Sequence, residues 1–445
     1  MQIDHWMMFG TFAEQRHFIY PSKQTYQGTI INGNMVAHAP DGLAAFLLEK
    51  TANQRYIIDP LTHAFQHNPS YLRDEEGNPK SSIQALANIY GEPLQSAVGT
   101  RPVLPRDFKD DAILAEFVGK CLDFQNRKLA SAMAQSSVMK YFLDFDAGSP
   151  AQSVGAPYAL VAPYFYITET TIGEWLPICV RAARIARETY PDAKIFASVV
   201  VSQGVVLDEA MRNEIANAFK DYVSGYLLWV DDLDEQQTAE ADLRGLLSLA
   251  RALRDGGRYE VINLHGGYFS ILAAGVLGGS AMSGVTHGPE FGEYRSAVPV
   301  GGGIPIAKYY MPQLHARVRY RDAVGLLNAK GWLADAATFH ANVCDCDECL
   351  STLAGNVDNF TLFGDGNVRE VKRGSGLVRI TYPTGATKQR CLRHYLQRKS
   401  REYRFAATAS RELILNDLHN GYDAFEAVMG LEGVKHLRLW EKVLS

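Results

Sequence analysis

Cys344-Asp-Cys346-Asp-Glu-Cys349 places three of the chain's six cysteines within six positions. Thiolates in a C-x-C-x-x-C turn converge on one tetrahedral centre, and the ion such a sulfur set takes is zinc. A fourth ligand has to close the tetrahedron, and Gln389-Arg-Cys391-Leu-Arg-His394 offers two, Cys391 and His394. Four protein ligands leave no open corner for water or substrate, so this Zn2+ is expected to be structural. Disulfides are a poor alternative, because neighbouring C-x-C pairs make strained bridges. A group of reduced surface thiols would leave the spacing without a reason.

A second set of polar groups follows short apolar runs. Asp59 closes Arg55-Tyr-Ile-Ile-Asp59, and Gln203-Gly204 follows the run 194–202. Asp231-Asp232 follows 225–230, His265-Gly266-Gly267 follows 259–264, and His287-Gly288-Pro289-Glu290 follows 280–286. Carboxylates and imidazoles gathered at one mouth can bind a polar ligand and move protons. Asp59, Asp231 and Glu290 are the candidate catalytic groups, with Gln203, Gly204, Asp232, His265, Gly266 and His287 as substrate contacts. Gly266, Gly267 and Gly288 would let a flat ligand approach the backbone. Taken singly, a His or Asp in such a loop is more often a cap or turn residue than a functional one.

The elements that must position them alternate through the first 330 residues. The runs at 55–59, 158–163, 194–202, 225–230, 259–264 and 280–286 are short and continuously apolar, as parallel strands covered on both faces must be. Helical stretches such as 171–190 lie between them, with Leu176, Cys179, Val180, Ala183 and Ile185 on one side. Repeated β-α units argue for an α/β fold, either a (β/α)8 TIM-like barrel or a doubly wound sheet. No Gly-x-Gly-x-x-Gly follows the first strand, which favours the barrel. The expected organisation is an N-terminal extension over 1–50, the barrel over 51–335, a C-terminal zinc-binding subdomain over 336–405, and helices packing on the barrel over 406–445. The aromatic-rich extension reads as packing against the barrel.

Composition excludes other classes. Of the 445 residues 47% are hydrophobic and 21% charged, ordinary for a globular chain. No run approaches the ~18 apolar residues of a membrane span, and the start lacks a basic-then-apolar leader. Sparse cysteines and a thiolate metal site suit a reducing compartment, so the cytoplasm is the expected location. The net charge of −5 is unevenly spread: between Arg369 and Arg404 eleven basic residues face two acidic ones, net +9, which leaves −14 for the remainder. One basic appendage on an acidic body fits contact with a phosphate backbone. It would also fit a basic face that answers the acidic body across an internal interface. Val368-Arg-Glu-Val-Lys-Arg373-Gly-Ser-Gly376-Leu-Val-Arg379 reads as a hairpin turning at 374–376. Lys372, Arg373, Arg379, Lys388 and Arg390 are its candidate nucleic-acid contacts.

Cys344-x-Cys346-x-x-Cys349, then Leu392-Arg-His394-Tyr-Leu and Asp417-Leu-His419-Asn420-Gly-Tyr422, resembles the zinc-binding tail of tRNA-guanine transglycosylases, a superfamily with DNA-modifying relatives. The resemblance implies that His394 is the fourth ligand and Cys391 a bystander. More loosely, Ile195–Gly204 is similar to the strand whose Gln-Gly reads a guanine base, and Ser224-Gly225-Tyr226 to the strand after it. The implied activity is exchange of guanine or a 7-deazaguanine at an N-glycosidic bond in tRNA or DNA, a carboxylate trapping the sugar between bases. Asp59 would be a base or a substrate-recognising acid, and Gln203 and Gly204 would read the base edge. A homo- or hetero-dimer would be in keeping with the family.

The sequence departs from that pattern at three places, one of them an insert between Cys349 and His394 longer than the family norm, which holds the basic hairpin. Asp59-Pro-Leu-Thr-His63-Ala-Phe65 stands where family members carry Asp-Ser-Gly-Gly-Phe-Gln, and Gly284 aligns with the nucleophilic aspartate. Glu290 or Asp231 would then have to supply the carboxylate. The competing expectation is a non-catalytic paralogue that binds nucleic acid or serves as partner subunit of an active enzyme.

Overall fold

The computed structural model describes residues 2–9, 26–51, 54–133, 154–277, 279–289, 292–298, 306–373 and 376–445. Its centre is a ring of parallel strands: β1 (Asp4–Phe9), β2 (Gly28–Asn32), β3 (Arg55–Asp59), β4 (Leu160–Val161), β6 (Ile195–Val201), β7 (Gly225–Val230), β8 (Glu260–Asn263) and β9 (Gly284–His287). The short β5 (Tyr166–Ile167) extends the pairing with β6. Neighbours run β3-β2-β1-β9-β8-β7-β6-β4, and a parallel bridge from Ile57 to Ala159 joins the two ends. This is an eight-stranded TIM-like barrel.

The strands form where apolar side chains serve two faces. All seven residues of β6 and all six of β7 are buried, as a parallel sheet covered by helices demands. Alternate residues point inward, so Trp6, Met8, Ile30, Ile57, Phe196, Val200, Leu227, Trp229 and Ile262 fill the barrel. Their neighbours Met7, Phe9, Ile31, Ile58, Val199, Leu228, Val261 and Val285 pack outward on the helical sheath. The interior is therefore a packed core, not a pore. In the helix Ile172–Thr189 the buried side chains include Trp175, Leu176, Cys179, Ala182, Ala183 and Ala186, a stripe of period three to four.

The expectation that residues 1–50 stand apart as an extension is not met. β1 lies between β2 and β9 in the ring, with Asp4 opposite Gly284 and Met7 opposite His287. Two of the eight staves thus come from that segment.

Past the barrel, β10 (Lys308–Met311) and β11 (Ala316–Arg319) form an antiparallel hairpin. Helices Ala336–Asn342 and Asp347–Leu353 follow, then β12 (Gly366–Arg373) paired with β13 (Gly376–Pro383). Helix Gly385–Thr408 docks on the barrel, where Tyr403 donates to the Val285 carbonyl at 2.9 Å. The last helix, Arg411–Leu444, bends at Gly430 (φ 73°) and buries Trp440, whose indole donates to the Glu235 carbonyl at 2.8 Å. Among the described residues no helix is long and apolar enough to cross a membrane.

Candidate metal centre and barrel mouth

Cys344 and Cys346 lie in the turn between two short helices, and Cys349 sits in the first turn of the second. His394 comes from the middle of helix Gly385–Thr408. The three Sγ atoms and His394 Nδ1 lie within 4.8 Å of one another, all four residues buried. Nδ1 is 3.6, 3.3 and 3.3 Å from the sulfurs of Cys344, Cys346 and Cys349. Zinc bonds of ~2.3 Å to sulfur and ~2.0 Å to nitrogen, set tetrahedrally, would space those atoms about 3.5 Å apart. The donor set therefore fits a tetrahedral ion.

The surroundings hold the ligands in that posture. His394 Nε2 donates to the Tyr310 carbonyl at 2.7 Å, so Nδ1 presents its lone pair to the sulfurs. Tyr309 stacks on the imidazole (centroids 4.2 Å apart) and places its hydroxyl 3.3 Å from Cys349 Sγ. Hydrogen bonds from Cys346 and Cys349 pull the Cys344 thiol far below its ordinary value against the opposing effect of burial. Burial disfavours a charged His394, yet the neighbouring Cys344 and Cys346 sulfurs raise it to about 10. Three buried sulfurs and one imidazole nitrogen facing one point, away from water, form a donor set that suits a cation. Cys391 is outside the cluster: its thiol donates to the Phe363 carbonyl at 3.4 Å and burial pushes it up to about 12.

At the mouth, Asp59 ends β3 with its carboxylate only 2% exposed. Oδ1 accepts from the Tyr164 hydroxyl at 2.7 Å and from the Leu61 amide at 3.0 Å. Burial raises this carboxyl above its ordinary value, although those two donors and Arg295 oppose the shift. Asp231, after β7, accepts from the Tyr166 hydroxyl at 2.7 Å and the Ala297 amide at 2.7 Å. Tyr164 and Tyr166, two positions apart, thus each hold one carboxylate. Trp229 lies between two imidazoles, edge-on to His63 at 5.1 Å and to His265 at 4.7 Å. Burial keeps both uncharged: His63 lies well below its ordinary value and His265 falls to about 3, with Arg295 adding to each effect.

A segment from Gly292 to Val298 covers these groups. The Arg295 carbonyl accepts from Trp229 Nε1 and from the Asp232 amide, both at 3.0 Å. Ala297 is buried within the barrel's inner cluster. Asp59, His63 and His265 are at most 7% exposed beneath it.

Other expected contacts serve packing. Gln203 turns its amide to the Asp231 and Asp232 carbonyls at 3.1 and 3.2 Å, bracing the end of β7. A Cβ on Gly204 would overlap the Glu169 carboxylate, so that glycine makes room for protein and not for a base. Gly267 similarly leaves space for Glu235, whose carboxylate takes the Gly267 amide at 3.0 Å, and Gly266 is closed in by Val285 and Ser270. His287 faces outward: its Nε2 is 2.8 Å from His5 Nε2, against Tyr395 and Tyr403. Gly284 sits at the start of β9, the end of the barrel away from the mouth, against Asp4 and Trp6. Glu290 lies outside the described residues.

The basic cluster divides in two. Lys399 is fully buried between Glu293 at 2.7 Å and Glu402 at 3.0 Å. Arg401 pairs with Asp345, Arg393 with Glu348, and Arg390 reaches the Leu362 carbonyl. Arg369 and Arg379 are exposed on the β12–β13 hairpin, Arg379 opposite Glu370. Lys372 and Arg373 belong to β12, but their side chains lie outside the described set.

Sequence reading missed Arg295, Tyr164, Tyr166 and Glu235. The paired tyrosines directly after an apolar run were a usable signal. Arg295 and Glu235 stand in irregular segments without one.

No family model and no curated protein matches the chain. Among solved structures, an intracellular xylanase of Thermoanaerobacterium saccharolyticum is similar at 8% identity and TM-score 0.34, over 66% of this chain and 86% of that one. The carboxyl transferase domain of Rhizobium etli pyruvate carboxylase gives 10% and 0.32, over 98% of this chain and 55% of that one. Likeness at that level speaks to neither family nor activity.

Proposed function

We propose that this chain is a transglycosylase-like enzyme exchanging guanine or a 7-deazaguanine at the N-glycosidic bond of a nucleotide in tRNA or DNA. Zinc in the Cys3His centre would be structural, since tetrahedral sulfur and imidazole ligands with no free corner suit that ion and that role. One observation carries the reading: Cys344, Cys346, Cys349 and His394 close on one point, His394 coming from the helix that docks on a barrel whose mouth holds Asp59.

In this reading Asp231 is the carboxylate that attacks C1′, forming an ester as the glycosidic bond breaks. The departing base takes a proton from Asp59, whose carboxyl burial favours in the protonated form. An entering base gives its N–H proton back to Asp59 and displaces the ester, which restores Asp231. Neutral His63 and His265 would hydrogen-bond the base edge. The target base must leave its stack, and the segment over the mouth must withdraw.

The test is incubation of the full chain with tRNA and duplex DNA carrying labelled guanine. Release or incorporation that disappears in Asp231→Asn supports the enzyme. A second reading, a non-catalytic nucleic-acid-binding partner subunit, draws on the cover over Asp59, His63 and His265. Binding without release from either polymer would select it.

A further inference from the structure

A cavity of about 600 Å³ opens beside the mouth, between loops of the barrel and the C-terminal tail. Its two walls differ in charge. Lys308 and Arg319 face each other across the β10–β11 pair, joined by Lys388 from helix Gly385–Thr408. Across from them stand Asp234, Glu235 and Glu293.

The carboxylates are provided for. Glu293 takes Lys399 at 2.7 Å and the Tyr395 hydroxyl at 3.1 Å. Glu235 takes the amides of Gly267 and Ser270 at 3.0 and 3.3 Å, and Asp234 takes the Gln236 amide at 3.0 Å. The nearby Arg317 is occupied too, donating to the Pro289 carbonyl at 3.1 Å and lying over the Tyr395 ring. Lys308, Arg319 and Lys388 differ: among the described residues none has a carboxylate within ion-pair distance. Like charges set directly opposite on paired strands repel. Burial and the two arginines hold the Lys308 amine below its ordinary value, against the weaker opposing pull of Asp234 and Glu293. Among the described residues the three cations of this wall thus lack ion-pair partners, while the carboxylates opposite each accept at least one hydrogen bond.

We infer that the cavity is a nucleotide pocket in which Lys308, Arg319 and Lys388 take a phosphate and the facing carboxylates accept N–H groups of the same ligand. Three cations on one wall suit the several oxygens of a phosphate, and the volume lies within the range of small-ligand sites. That the anion belongs to a nucleotide rests on the proposed function; the anion site itself does not. The phosphate could arrive in a polynucleotide strand or as a free nucleotide.

The experiment titrates the full chain with inorganic phosphate, GMP and a fluorescent guanine-containing single strand across a salt series. The Lys308→Glu/Arg319→Glu variant reverses two charges on the cavity wall, and Lys388→Glu serves as a second, independent variant should the first fail to fold. At least tenfold weaker strand binding, with a log-log salt slope shallower by about one unit, assigns the pocket to a strand phosphate. Loss confined to phosphate and GMP assigns it to a free nucleotide. A wild type that binds none of the three, or folded variants that bind all three unchanged, overturns the site. Phosphate binding that survives alongside absent base exchange would remove the enzyme reading and leave this pocket standing.

Discussion

Lys399 Nζ lies 2.7 Å from a Glu293 carboxylate oxygen, and the lysine is fully buried. His394 stands five positions earlier on the same helix, so one rigid element holds both the metal cluster and the segment laid over the mouth. Tyr310 reinforces the link: its carbonyl takes His394 Nε2 and its hydroxyl bonds Glu402, the second partner of Lys399.

Lys399→Met is expected to strand two buried carboxylates. Removing one member of such a network costs roughly 3–5 kcal/mol. The covering segment should loosen, and His63 and His265 should become reactive toward an imidazole-modifying reagent. Wild-type modification rates in the folded variant would break the proposed link.

Cys346→Ser removes one of four ligands. Metal content by elemental analysis should fall from one equivalent to near none, and the tail should melt before the barrel, because ligand binding supplies several kcal/mol of folding energy in such sites. A full equivalent together with an unchanged melting point would show that Cys346 is not a ligand and that the assignment of the four ligands is wrong.

Acid sensitivity follows from His265. Its ordinary value is 6.5 and burial lowers it to about 3 in the folded chain. Below 6.5 the unfolded chain takes up a proton that the folded chain refuses, so stability is full above that value and drains away as pH falls toward 3. The loss approaches about 1.4 kcal/mol per pH unit for each such histidine. His265→Gln should flatten the decline of the unfolding midpoint between about pH 6 and pH 4. An unaltered profile would mean that the imidazole is already solvated.

Reversal of Lys372, Arg373 and Arg379 to Glu should weaken nucleic-acid binding and flatten its salt dependence by about 0.7–0.9 per lost phosphate contact. Equal affinity and slope would assign the hairpin's charge to some other role.

Legibility in the sequence followed locality. β6 and β7 were readable because apolar runs covered on both faces leave an unmistakable pattern. β1 was not, because His5 and Trp6 interrupt the run: one packs outward on Tyr403, the other fills the barrel floor. β2 offered a usable cue, Thr29-Ile-Ile between Gly28 and Asn32-Gly33, which the surrounding aromatics obscured. Three metal ligands lay in one turn; the residues alone left Cys391 and His394 open as the fourth, the resemblance pointed to His394, and the packed helix puts His394 in the cluster and Cys391 outside it. His287 was misread by strand parity. β9 extends one residue further than the apolar run suggested, and the alternation that points Thr286 inward points His287 out.

The place of β1 bears on how the chain comes to be folded. Its partner β9 is completed only at residue 287, so the ring stays unzipped throughout most of translation. Until then both β1 and the growing far stave present bare backbone, the arrangement most open to mispairing with another nascent chain. So distant a closing contact also predicts slow refolding from denaturant.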